Sequence, residues 1–114
     1  MRILVVDDEP AVVQTLCHLI EEVGHDAIGV TDGPAALDHF GRARYDVVVV
    51  DLVMPQMNGL EVLRRLHATN RETRLVALTG SLLEIDDVLH KAGIPVVRKP
   101  IVTAADIRAL IEAR

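Results

Sequence analysis

The run Tyr45-Asp46-Val47-Val48-Val49-Val50 gives a strand no polar face to turn toward water. Successive side chains of a strand point to opposite faces, so a run of four valines must be covered on both sides. Parallel sheets sandwiched between helical layers provide that cover. Similar short apolar runs place strands at Ile3–Val6, Asp26–Val30, Val47–Val50, Leu75–Leu78 and Pro95–Arg98.

Helical patterns fill the intervals. The first helix opens at Pro10, a residue suited to the first helical turn, and Gly24 closes it. Val13, Leu16, Cys17 and Ile20 form its apolar stripe, with Cys17 read as a small buried hydrophobe. Asp32-Gly33-Pro34 starts a second helix, and Asn58-Gly59 precedes a third with Leu60, Leu63 and Leu66 as its stripe. Ser81 to Ala92 reads as a fourth helix, ended by Gly93. Thr103-Ala104-Ala105-Asp106 resembles a capping box and opens the fifth. Strict βα alternation implies an α/β fold, one doubly wound parallel sheet of five strands with right-handed crossovers.

The 114 residues are read as one domain, 1–114, with a core of Val, Leu, Ile and Ala, since only one Phe and one Tyr are present. A net charge of -5 and the scarcity of aromatics argue against direct nucleic-acid binding. The lone Cys17 fits a reducing compartment, and no apolar stretch approaches the roughly 20 residues of a membrane span. The chain runs straight into a strand without space for a signal peptide, so a cytoplasmic location is expected.

Open α/β sheets build their sites at the carboxyl ends of the strands. Asp7 and Asp8 end the first strand, Asp51 the third, Thr79 the fourth and Lys99 the fifth. Three carboxylates against one ammonium leave an excess of negative charge that a divalent cation would balance, and an all-oxygen donor set favours Mg²⁺ or Mn²⁺ over zinc. A carboxylate so neutralised can attack a phosphoryl group and form an acyl phosphate. Lys99 and Thr79 would hold the phosphoryl oxygens as charge develops. The five histidines show no ligand spacing.

Ile3-Leu4-Val5-Val6-Asp7-Asp8-Glu9-Pro10, Asp51-Leu52-Val53-Met54-Pro55-Gln56-Met57-Asn58-Gly59, Ala77-Leu78-Thr79 and Lys99-Pro100 together resemble the receiver domain of two-component response regulators. The resemblance implies a flavodoxin-like fold with strand order 2-1-3-4-5. It implies that Asp51 takes a phosphoryl group from a phosphohistidine on a sensor histidine kinase or histidine phosphotransfer protein. Asp8 and Asp51 would bind Mg²⁺ through side chains and Val53 through its backbone carbonyl, with Asp7 acting through water. Thr79 and Lys99 would contact the phosphoryl group, and a cis Lys99-Pro100 bond is expected. The output surface would be the fourth helix, fifth strand and fifth helix, where a partner or a second copy binds. An output or kinase domain in cis, outside this segment, is compatible with the same resemblance.

The chain departs from the family pattern in places. Val96 stands where receivers usually carry a Tyr or Phe that swings inward behind the Thr, and Ile101 replaces an aromatic that commonly follows the Lys-Pro pair. Val53 and Ser81 occupy the positions that tune loss of the phosphate in this family. Neither orients an attacking water well, which implies an acyl phosphate of moderate to long life. Two competing readings are a receiver-like binding module that signals without phosphate, and a small phosphohydrolase with an Asp nucleophile. The phosphohydrolase would need a second Asp two residues after Asp51, where this chain has Val53. No glycine-rich nucleotide loop follows the first strand.

Overall fold

The computed structural model describes residues 1–54, 57–70, 72–80 and 86–113, the side chains of 53, 57 and 86–88 excepted. Five strands form one parallel sheet: β1 (Arg2–Val6), β2 (Asp26–Val30), β3 (Val47–Asp51), β4 (Arg74–Thr79) and β5 (Val96–Arg98). Their order is β2-β1-β3-β4-β5. The helices are α1 (Pro10–Glu22), α2 (Gly33–Arg42), α3 (Gly59–Thr69), α4 (Asp86–Lys91) and α5 (Ala104–Glu112). The expected architecture is the observed one. The segment expected to start α4, Ser81 to Ile85, lies outside the described residues.

The valine run behaves as its composition demands. Val48 and Val50 join Leu4, Val6, Phe40, Leu63 and Leu66 in a core between the sheet and the helices α2 and α3. Val47 and Val49 face the other way, into a second core with Leu16, Ile20, Ile107 and Leu110 from α1 and α5. None of the four valines is more than 1% exposed. At about 1.5–3 kcal/mol per fully buried side chain, this strand alone accounts for several kcal/mol of hydrophobic stabilisation.

Local signals set where the helices start and stop. Asp32 accepts a hydrogen bond from Ala35 N at 2.7 Å to open α2. Thr103 and Asp106 form a reciprocal capping box at α5. Gly24 and Gly93, both with positive φ, take the left-handed position that stops α1 and α4. His25 N donates to Ile20 O and Ile94 N to Leu89 O, each closing the last turn of its helix. The buried pair Leu89 and Ile94 then seals the second of these ends.

Some details differ from the sequence reading. In α3 the buried residues are Gly59, Val62, Leu63 and Leu66, with Leu60 only half-buried. The core-facing stripe is therefore rotated slightly from the leucine spacing. Cys17 is half-buried on the flank of α1, where the strand residue beneath it is Gly29. A two-residue antiparallel ladder, Val53–Met54 with Met57–Asn58, was not expected. It folds the segment after β3 back on itself before α3 begins.

Candidate phosphoacceptor site

The sheet register brings the chemistry-bearing residues to one edge. Val6 pairs with Val50, so Asp7 and Asp51 are the next residues on adjacent strands. Asp51 pairs with Leu78, and Thr79 with Arg98, so Thr79 and Lys99 follow on the other side. The carboxyl end of a parallel sheet thereby gathers five side chains separated by up to 92 residues of chain.

Asp7 is fully buried, Asp51 is 3% exposed and Thr79 is 6% exposed. Asp8 and Lys99 are half-buried. Oxygens of Asp7, Asp8 and Asp51 all lie within 4.8 Å of one another. The Lys99 Nζ bridges two of them, donating to Asp7 Oδ2 at 3.0 Å and to Asp51 Oδ2 at 3.1 Å. Burial would depress the Lys99 ammonium, but its hydrogen bonds to Asp7 and Asp51 and their charges outweigh that, and its pKa lies above the ordinary lysine value.

Backbone contacts fix the frame. Glu9 N donates to Asp7 Oδ1 at 3.0 Å, orienting that carboxylate from the start of α1. Lys99 N donates to Thr79 O at 2.9 Å, and Leu52 N to Leu78 O at 2.9 Å, tying the ends of β3, β4 and β5 together. The Lys99-Pro100 peptide bond is cis. Asn58 Oδ1 accepts from Leu60 N at 3.0 Å and from Glu61 N at 3.4 Å, which caps α3 beside Asp51.

Such a set can hold a hard divalent cation, because three carboxylates converge on one small volume and no His or Cys is among them. Fully buried Asp7 and nearly buried Asp51 make uncompensated charge expensive there, and Lys99 supplies only part of the compensation.

The remaining candidates sit apart or undescribed. Val53 has its backbone in the short ladder, opposite Asn58, and its side chain lies outside the described residues. Ser81 also lies outside them. Val96 is half-buried, pairs with Ala77 and packs on the core under α2 and α3, two residues short of the edge. Ile101 is buried in the other core with α1 and α5. An apolar groove of about 280 Å³ beside Lys99 is lined by Ala11, Val12, Thr15, Leu16, Pro100 and Ile101. Sequence reasoning did not single it out, since it is assembled from α1 and the loop after β5.

Among the described residues, no helix is long and apolar enough to cross a membrane.

Comparison with known proteins gives a consistent result. The model of the response regulator receiver domain matches residues 3–112. The sensory transduction protein RegX3 of Mycobacterium tuberculosis is 39% identical over 98 residues, which cover 78% of this chain and 43% of that protein. The alkaline phosphatase synthesis transcriptional regulatory protein PhoP of Bacillus subtilis is 35% identical over 88 residues, 77% of this chain and 37% of PhoP. The chain thus spans less than half the length of these curated relatives.

Among solved structures, response regulator protein TrrA from Thermotoga maritima, in complex with Mg²⁺–BeF, superposes with a TM-score of 0.79 at 32% identity, covering 87% of this chain and 86% of TrrA. A CheY-like receiver domain from Methanospirillum hungatei shares the fold with a TM-score of 0.87 at 24% identity, covering 97% and 90% of the two chains. With a site of this composition at the carboxyl edge of this sheet, and a family match over nearly its whole length, the chain belongs to the response regulator receiver domain family, the signalling modules of two-component systems.

Proposed function

We propose that Asp51 is the phosphoacceptor of a two-component phosphorelay. The observation that carries this reading is the Lys99 ammonium held between Asp7 and Asp51, 3.0 and 3.1 Å from their oxygens, with the Asp8 carboxylate alongside. An Asp51 oxygen attacks the phosphorus of a phosphohistidine, the P–N bond to the imidazole breaks, and an acyl phosphate forms. Lys99, already in contact with Asp51, follows the transferred oxygens and offsets their charge. The Thr79 hydroxyl at the end of β4 contacts the same group from the other side.

Asp8 and Asp51, with the Val53 carbonyl and with Asp7 through water, are the residues that would hold Mg²⁺, which when bound neutralises the carboxylates and the phosphoryl oxygens. The Mg²⁺–BeF complex of TrrA supports the choice of that ion for this chain. Phosphorylation and its reversal are the domain's own chemistry, with no external metabolite turned over. The phosphodonor is a sensor histidine kinase or a histidine phosphotransfer protein, and the output is a change in the surface of α4, β5 and α5 that engages a partner domain or a second copy. Val53 and Ser81 tune the lifetime of the acyl phosphate, and replacing Val53 with Asn should shorten it.

The direct test is transfer from a purified, radiolabelled histidine kinase. Label should move to the chain, resist transfer to Asp51→Asn, and be released by hydroxylamine as an acyl phosphate. Label that remains on the chain after hydroxylamine would contradict the assignment.

A second reading is favoured by Val96, whose half-buried side chain packs on the core where an inward-swinging aromatic would be expected. In it, the fold binds its partner without phosphate. Partner binding that survives Asp51→Asn with unchanged affinity would support it over the first.

A further inference from the structure

We infer that Gly59, the first residue of α3, is a positioning residue for Asp51. The inference rests on the phosphoacceptor reading and concerns a contact that reading does not use. Gly59 is buried. A Cβ built on it would overlap the Asp51 carbonyl oxygen and come within 2.9 Å of Leu52 Cα and 3.2 Å of Asp51 C. These are backbone atoms, so no rotamer change can relieve the overlap. The helix start and the strand end touch main chain to main chain, and the only side chain that permits it is hydrogen.

The surroundings decide which partner would yield. α3 is anchored by Val62, Leu63 and Leu66, none more than 4% exposed, and its first turn is held by the Asn58 cap. The strand end is held less evenly. β3 pairs with β1 only as far as Val50, whereas its pairing with β4 continues through Asp51, and Leu52 N still reaches Leu78 O. Asp51 therefore lies at the point where β3 loses one neighbour. A Cβ at Gly59 would press on the Asp51 main chain at the last paired residue of β3, and the Asp51 carboxylate moves with its backbone. The short ladder pairs Val53 with Asn58, which ties the segment after Asp51 to the residue that caps α3.

A displacement of about 1 Å in a reacting group can lower a rate by about two orders of magnitude. Gly59→Ala should therefore be phosphorylated by acetyl phosphate at least about tenfold more slowly than wild type, as a fold change per folded molecule. The control is Leu66→Val, two turns further along α3, which should lower the melting temperature while phosphorylating within about twofold of wild type.

Gly59→Ala with reduced stability but a wild-type rate would mean that α3 yields instead, and would overturn the inference. Should Gly59→Ala not fold on its own, its rate per folded molecule is read in trimethylamine N-oxide beside wild type in the same solution, and a wild-type rate there would overturn the inference. If wild type itself takes up no phosphoryl group, the phosphoacceptor reading fails. Positioning is then read from Mg²⁺ affinity, which Gly59→Ala should still weaken and Leu66→Val should not.

Discussion

Replacing Lys99 with Met keeps most of the side-chain volume and removes the charge that bridges Asp7 and Asp51. Breaking a buried ion pair by deleting one partner typically costs about 3–5 kcal/mol, much of it from the charge left behind. The Lys99 side chain is 24% exposed, so water reaches the site and the cost should fall to about 2–3 kcal/mol. For a domain of 114 residues that is a drop in melting temperature of about 10 °C. The sign of the pH dependence follows from the raised lysine pKa. The wild-type contribution is fully present below the ordinary value of 10.5 and is lost as pH rises through the higher folded value, so the difference between the proteins should shrink in strong alkali. Urea unfolding of both proteins, with EDTA and with saturating Mg²⁺, measures it. Mg²⁺ should stabilise Lys99→Met more than wild type, because the missing ammonium no longer repels the ion. A difference below about 0.5 kcal/mol in EDTA, or an equal gain from Mg²⁺ in both, would refute the reasoning.

Two further perturbations test the scaffold. Thr103→Ala removes the α5 cap and should cost about 1 kcal/mol in urea unfolding. Its capping partner Asp106 has its pKa lowered chiefly by hydrogen bonds from Val102 N and Thr103 N, so its support is present above the ordinary carboxylate range and fades as pH falls through the lower folded value; Asp106→Asn should flatten that acid limb. The buried Tyr45 hydroxyl finds no hydrogen-bond partner among the described residues, so Tyr45→Phe should be neutral or stabilising by up to about 1 kcal/mol, and a clear loss in melting temperature would contradict that.

How much could be read in advance follows from what each signal encodes. The valine run specified a strand covered on both faces, and its flanking elements supplied the two cores. Capping residues placed the helix starts at Asp32, Asn58 and Thr103 because their hydrogen bonds are local. Asp7, Asp8, Asp51, Thr79 and Lys99 were legible as strand-end residues, since a parallel sheet brings all its carboxyl ends to one edge. The bridge from Lys99 to two carboxylates was not, because it spans up to 92 residues and depends on register. Gly59 read as part of the Asn58-Gly59 pair that precedes α3, while its contact with the Asp51 backbone is tertiary and carries no local signal. Cys17 fitted a stripe by spacing, but its burial depends on what lies beneath that flank of α1, which is a glycine. Leu60 likewise matched the period and yet sits at the edge of the α3 contact, with Val62 taking its place in the core.

The central claim is that Asp51 is the nucleophile. Intact mass after incubation with Mg²⁺ and acetyl phosphate, wild type beside Asp51→Asn, tests it most directly. One phosphoryl group, about 80 Da, on wild type only and abolished by EDTA is the expected result. The same increment on Asp51→Asn, or none on a folded wild type that binds Mg²⁺, would contradict the account.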